Sequence, residues 1–189
     1  MKFTVEDTKF PGLKVIHLKP FKDDRGYLIK VFEKEAFKLL GIPCEFKESY
    51  YSFSRKHVFR GLHYQECDLQ GKLIVSVSGE YIEFAVDLRY GSPTYKETFV
   101  YSVNSKSPVA IYIPRGFAHG ILAISDDVLY IAYQTTEYNP TCDSGISYKY
   151  VEKYIPNDIK DNLILSNKDK TLPLWNEKEI MTFDENDPF

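Results

Sequence analysis

Alternation dominates the hydrophobic pattern of this chain. Between Pro11 and Pro140, Gly- and Pro-containing breaks (PG, DDRG, GIP, SG, GSP, PRG, NP) recur roughly every ten residues, with β-branched and aromatic runs between them. That rhythm predicts an all-β sandwich or barrel. Its clearest unit is KLIVSVSGEYIEFAVDL, residues 72 to 88, two alternating arms around Ser78-Gly79-Glu80, which predicts a β-hairpin. On the second arm Ile82, Phe84, Val86 and Leu88 share one face while Glu83 and Asp87 lie on the other, so one face should be buried. The period changes at EKEAFKLLG, residues 33 to 41, where Phe37, Leu39 and Leu40 precede Gly41 and predict a short helix with a glycine stop. Beyond Tyr150 the composition turns polar, and one or two short helices are expected to cover the barrel. No linker, repeat or low-complexity tract interrupts the pattern, so residues 1–189 are expected to form a single domain.

Composition narrows the partners. Hydrophobic residues make up 43% of the 189 and charged residues 27%, an ordinary globular balance with no run long enough to suggest a membrane helix. The opening MKFTVEDTKF lacks the apolar core of a secretory signal, and a cytoplasmic location is expected. A net charge of -3 argues against a nucleic-acid partner and leaves a small molecule as the expected one. Cys44, Cys67 and Cys142 are odd in number and widely spaced, which predicts reduced structural thiols. The 15 Tyr and 13 Phe suit strands and could also supply stacking faces.

Four histidines carry most of the chemistry available near neutral pH. His17 and His57 have little around them. His63 lies in FRGLHYQ, with Arg60 three residues before it and Lys72 nine after it, whereas His119 lies between glycine-bearing turns in IPRGFAHGI. Either histidine alone would read as a core or surface residue; it is the cluster that points to a site. Small barrels that bind metal usually present HxH followed by a carboxylate. Here the first motif reads HYQ, with Gln65 in the second ligand position, so neither a metal nor another cofactor is expected. Strict alternation would place Arg60 and His63 on opposite faces, a conflict that a bulge or bend at Gly61 would remove.

The segments FKDDRGY (21–27), SRKHVFRGLHYQ (54–65), GKLIVSVSGEYIEFAVDLRYGSPTY (71–95), IPRGFAHGI (113–121), YQTTEYNP (133–140) and ILSNKDKTLPL (164–174) resemble, in order, those of the dTDP-4-dehydrorhamnose 3,5-epimerases. The resemblance implies a cupin-type jelly-roll barrel with a few short peripheral helices. It also implies a nucleotide-diphosphate 4-keto sugar as substrate, and a homodimer in which the FKDDRGY strand brings Arg25 to the neighbouring pocket. In a 4-keto sugar the carbonyl acidifies the hydrogens on C3 and C5. Epimerisation then needs a base on one face, an acid on the other and a charge beside the enolate. By resemblance His63 is the base, Asp169 orients it, Lys72 faces the enolate oxygen and Tyr138 returns the proton. Arg60 and Arg25 would hold the diphosphate, for which a guanidinium fork is suited. Gln65, His119, Lys30 and Glu48 complete the expected substrate-contacting set.

Several positions depart from the family pattern. Lys30 stands for a glutamate, Glu48 and Tyr50 for a glutamine and an asparagine, Arg115 for the glutamate of PEGFAH, and Tyr148-Lys149-Tyr150 for a Trp-Asn-Asp run. These departures suggest the same chemistry on a GDP- or CDP-linked sugar, or epimerisation of a heptose at C3 alone. A 3,4-ketoisomerase, a metal-dependent cupin dioxygenase and a non-catalytic sugar-nucleotide-binding cupin remain as competing classes.

Overall fold

A computed structural model describes residues 3–175 and 180–189. In chain order the first strands are β1 (Phe3–Asp7), β2 (Lys14–Leu18), β3 (Pro20–Asp23), β4 (Gly26–Ile29), β5 (Glu48–Ser54), β6 (Phe59–Gln65), β7 (Lys72–Ser78) and β8 (Glu80–Asp87). They continue with β9 (Arg89–Tyr90), β10 (Thr98–Asn104), β11 (Val109–Ile113), β12 (Phe117–Ala123), β13 (Val128–Gln134), β14 (Asp143–Gly145) and β15 (Met181–Thr182). The α-helices are α1 (Lys34–Leu39), α2 (Asn157–Lys160) and α3 (Asn167–Thr171). Two sheets dominate, one ordered β1-β2-β11-β7-β13-β5 and the other β10-β8-β12-β6-β14. They face each other across a core in which Val15, Ile74, Ile111 and Ala132 of the first sheet meet Ala85, Phe99, Phe117 and Ile121 of the second. This is the jelly roll.

The 72–88 segment corrects the simple hairpin expectation. Its two arms do form as β7 and β8, but β7 pairs with β11 and β13 whereas β8 pairs with β10 and β12, so the Ser78-Gly79-Glu80 turn carries the chain from one sheet to the other. Gly79 is needed at this corner: its φ is +79°, and a Cβ there would lie 2.8 Å from the Val128 Cα. Both faces of β8 are consequently buried. Phe84 and Val86 look outward under a second cluster that includes Ile146, Val151, Ile155 and Ile159 from the C-terminal turns, while Glu83 and Asp87 look into the barrel and are fully buried.

Asp87 shows how a charge is tolerated there. It accepts from Arg89 Nε at 2.9 Å, Ser92 Oγ at 2.6 Å and Thr94 Oγ1 at 2.7 Å, and the buried Arg89 guanidinium lies over the Phe117 ring. The DLRYGSPT motif is thus a structural clasp that Arg89 also ties to the C-terminal segment through Pro188 O at 3.0 Å.

The helix predicted over 33–41 forms as α1, with Phe37 buried among Phe3, Phe32 and Ile42 on the outer face of the first sheet and Gly41 ending it at φ +68°. A disulfide corrects the cysteine expectation. Cys67 and Cys142 are bonded, with Cα atoms 5.2 Å apart across 75 residues of sequence, and Cys44 stays free. The spacing concealed the pair because it is made by strand pairing. Gln65 of β6 lies opposite Asp143 of β14, and Glu66 N donates to Cys142 O at 2.8 Å, which sets the two thiols side by side.

Candidate active site

The interior of the barrel changes character toward one end. Strand alternation places Glu48 and Tyr50 of β5, Lys72 of β7, Glu83 of β8, His119 of β12 and Gln134 of β13 on the inward faces, beyond the apolar core. β6 joins this set through a bulge. Its register to β12 pairs His63 with His119 but Arg60 with Ile121, so β6 holds one residue more than its partner between those points. Phe59 and Leu62 can then both face the outer cluster while His63 faces inward, which removes the conflict between Arg60 and His63. Gly61 makes the bulge possible, with φ +123° and a position at which a Cβ would come within 2.6 Å of the Gly120 Cα.

Helix α3 supplies the partner of His63. Ser166 caps it by accepting from Asp169 N at 3.0 Å, and Asp169, 3% exposed, meets His63 Nε2 through Oδ1 at 2.6 Å. Burial pulls the Asp169 carboxyl upward, but hydrogen bonds from His63, Ser166 and the Gly61 backbone outweigh it and hold the pKa below its ordinary value. An ionised carboxylate bound to Nε2 leaves Nδ1 as the basic position of the ring. His119 is buried behind His63 in contact with Glu83, and burial lowers its pKa even though Glu83 opposes the shift.

Lys72 is buried at the start of β7, and desolvation lowers its pKa to about 8 against the attraction of Asp143 and Glu83. Across from it, the segment between β13 and β14 carries Tyr138, which is 53% exposed. Its backbone is tied from several sides. Glu48 Oε2 accepts from Tyr138 N at 2.6 Å, Gln65 Oε1 accepts from Asn139 N at 2.7 Å, and the Cys67–Cys142 disulfide closes the far end. The Tyr138 hydroxyl donates to Asp143 Oδ2 at 2.9 Å, and that bond raises its pKa. Glu48, Tyr50, His63, Gln65, Lys72, Gln134, Tyr138, Asp143 and Lys168 line one cavity of about 390 Å³.

The expected site residues therefore separate into groups. His63, Lys72, Tyr138, Gln65 and Glu48 line the cavity, and Asp169 supports His63 from behind. His119 is second to His63 and sits against Glu83. Arg60 is not part of the cavity lining; its Nε donates to Ser54 Oγ at 2.9 Å and a terminal nitrogen to Phe53 O at 3.0 Å. Arg25 and Lys30 lie outside the cavity lining: Arg25 pairs with Asp23 on the turn between β3 and β4, and Lys30 with Glu33. Two other departures are also remote from it, since Arg115 pairs with Asp187 and Tyr148 packs on Phe59 in the outer cluster. Asp143, Lys168, Glu83 and Gln134 were not anticipated. Asp143 in TCDSG reads as a turn residue and Lys168 as a solvated charge; the β6–β14 pairing brings Asp143 inward, and Lys168 reaches it from α3.

The fold and the site together define a jelly-roll protein with a histidine–carboxylate pair, a buried lysine and a tyrosine hydroxyl around one cavity. The family model for dTDP-4-dehydrorhamnose 3,5-epimerase matches residues 7–177. The dTDP-4-dehydrorhamnose 3,5-epimerase of Methanothermobacter thermautotrophicus is 37% identical over 172 residues, 89% of this chain and 92% of that protein. The crystal structure of the Sulfolobus tokodaii enzyme of the same name superposes with a TM-score of 0.83 at 38% identity, covering 92% of this chain and 96% of that one. A Legionella pneumophila dTDP-6-deoxy-D-glucose-3,5-epimerase, solved in complex with dTDP-4-keto-L-rhamnose, gives 0.87 at 32% identity over 95% and 97%. This chain belongs to the dTDP-4-dehydrorhamnose 3,5-epimerase family, and it is a nucleotide-sugar epimerase.

Proposed function

We propose that the chain inverts both C3 and C5 of dTDP-4-keto-6-deoxyglucose, giving dTDP-4-keto-L-rhamnose. The observation that carries this reading is the His63–Asp169 contact of 2.6 Å opening onto the cavity that Lys72 and Tyr138 share. His63 Nδ1 removes the proton alpha to the C4 carbonyl, and Asp169 favours the imidazolium that results. The Lys72 ammonium stabilises the enolate oxygen, and Tyr138 delivers a proton from the opposite face. Repetition at the second carbon completes the conversion. Arg60, tied to β5 through Ser54 and Phe53, supplies charge for the diphosphate.

The dTDP carrier is favoured over GDP or CDP by the dTDP-linked ligand of the Legionella relative and by the positions of several of the departures, although Tyr50 does line the cavity. Lys30, Arg115 and Tyr148 are engaged outside the cavity, and Glu48 anchors the Tyr138 backbone at the sugar end. A homodimer fits the same reading. Tyr51 and Phe53 are exposed on the edge strand β5, and Phe21, Tyr27 and Leu28 are exposed on the separate β3–β4 hairpin, which would carry Arg25 to a partner's site. Comparing kcat/KM for dTDP-, GDP- and CDP-linked 4-keto-6-deoxyglucose, with the product identified by NMR, tests the proposal. Preference for dTDP and an L-rhamno product is expected. A GDP or CDP preference, or inversion at C3 alone, would contradict it.

A further inference from the structure

We infer that Asp143, held by Lys168, is a positioning residue for Tyr138, directing the phenol into the cavity. This rests on the proton-transfer reading above and deepens it. A phenol that is half exposed on a connecting segment would otherwise sample many rotamers, and most of them point its hydroxyl away from the substrate. Asp143 restricts it. The carboxylate projects from β14 on the inward face, opposite Gln65 of β6, and its Oδ2 accepts the Tyr138 hydroxyl at 2.9 Å. The same Oδ2 contacts Lys168 Nζ, so the acceptor carries a cation of its own.

That arrangement answers a problem set by the chemistry. When Tyr138 gives its proton to the enolate carbon, a C–H bond forms, the C4 carbonyl is restored and a phenolate remains until water returns a proton. A bare carboxylate beside that phenolate would oppose the transfer, whereas here the carboxylate accepts from the phenol before transfer and the Lys168 ammonium offsets the like-charge repulsion after it. The partner's origin is also informative. Lys168 is the neighbour of Asp169 on α3, so one helix turn fixes the base through Asp169 and the acid through Asp143.

The test separates proton removal from proton return. With the dTDP-linked 4-keto sugar in deuterated water, NMR gives the number of C3 and C5 centres that take up deuterium and the number that invert. Removing the charged acceptor in Asp143→Asn should lower the ratio of inverted to exchanged centres by about tenfold or more, in the direction expected for Tyr138→Phe. Asp143→Glu should restore most of the ratio. Lys168→Met, which keeps the carboxylate but loosens it, should shift the ratio the same way by less, and it serves as the test if Asp143→Asn does not fold. An unchanged ratio in either variant would overturn the inference while leaving the epimerase reading intact. Absence of exchange in the unmodified enzyme would overturn that reading itself.

Discussion

Asp169→Asn probes the link between fold and chemistry most sharply. The substitution preserves shape and removes one negative charge from a residue that is 3% exposed and 2.6 Å from His63 Nε2. Two effects act together. The imidazolium formed on proton abstraction loses its ionised partner, and the amide can turn its nitrogen toward Nε2 and favour the tautomer whose proton sits on Nδ1. A hydrogen bond to a charged group contributes about 1.5 to 3 kcal/mol, which corresponds to a loss of about 10- to 150-fold in the rate of C–H exchange. Because Asp169 stands behind His63, the loss should fall on kcat and leave KM nearly unchanged. Stability gives an independent check through linkage. The folded-state pKa of Asp169 is depressed, so its contribution is present above the unfolded value and is lost as pH falls through the folded one. The variant should therefore be destabilised at neutral pH and lose less than the unmodified protein on acidification. Exchange rates by NMR and denaturant melts at pH 7 and pH 3 measure both. An exchange rate within about threefold of the unmodified enzyme would refute the argument, because the effect expected of a charge-assisted bond would be missing.

Lys72 should give activity a basic limb, with kcat/KM turning down near pH 8 as the buried ammonium loses its proton; a profile still flat at pH 10 would show that its charge is not used. Gly61→Ala should cost about 2 to 4 kcal/mol in a denaturant melt and abolish activity, since the new methyl meets Gly120 at a positive φ and the bulge aligning His63 cannot form. Cys67→Ser removes a cross-link spanning 75 residues and should lower stability by about 2 to 4 kcal/mol, or Tm by about 5 to 15 °C, relative to the oxidised protein. The same variant should make Tm insensitive to reductant.

Much of this was legible in the sequence where local pattern governs. Turn spacing announced an all-β fold, Gly41 marked the end of α1, and the order of the motifs carried the cluster of His63, Lys72, Tyr138 and Asp169. What stayed hidden depends on pairing at long range. Alternation in β7 and β8 cannot say whether the two arms pair with each other or with different sheets, and here the turn at Gly79 separates them. Cys67 and Cys142 are far apart until β14 settles against β6, and the same pairing turns Asp143 from a loop carboxylate into part of the cavity. The substitutions at Lys30, Arg115 and Tyr148 suggest a change of specificity in the sequence, which alone does not reveal which side of a strand or loop meets the pocket. Each has a partner outside the cavity lining.

The most direct test of the central claim is deuterium uptake at the two ring carbons, followed by NMR with dTDP-4-keto-6-deoxyglucose in deuterated water. In the unmodified enzyme the C3 and C5 hydrogens should both exchange and both centres invert. His63→Ala should exchange neither, and Tyr138→Phe should still exchange while inversion lags behind. Exchange that persists at either carbon in His63→Ala would contradict the account, since the base would then be some group other than the histidine that Asp169 holds over the cavity.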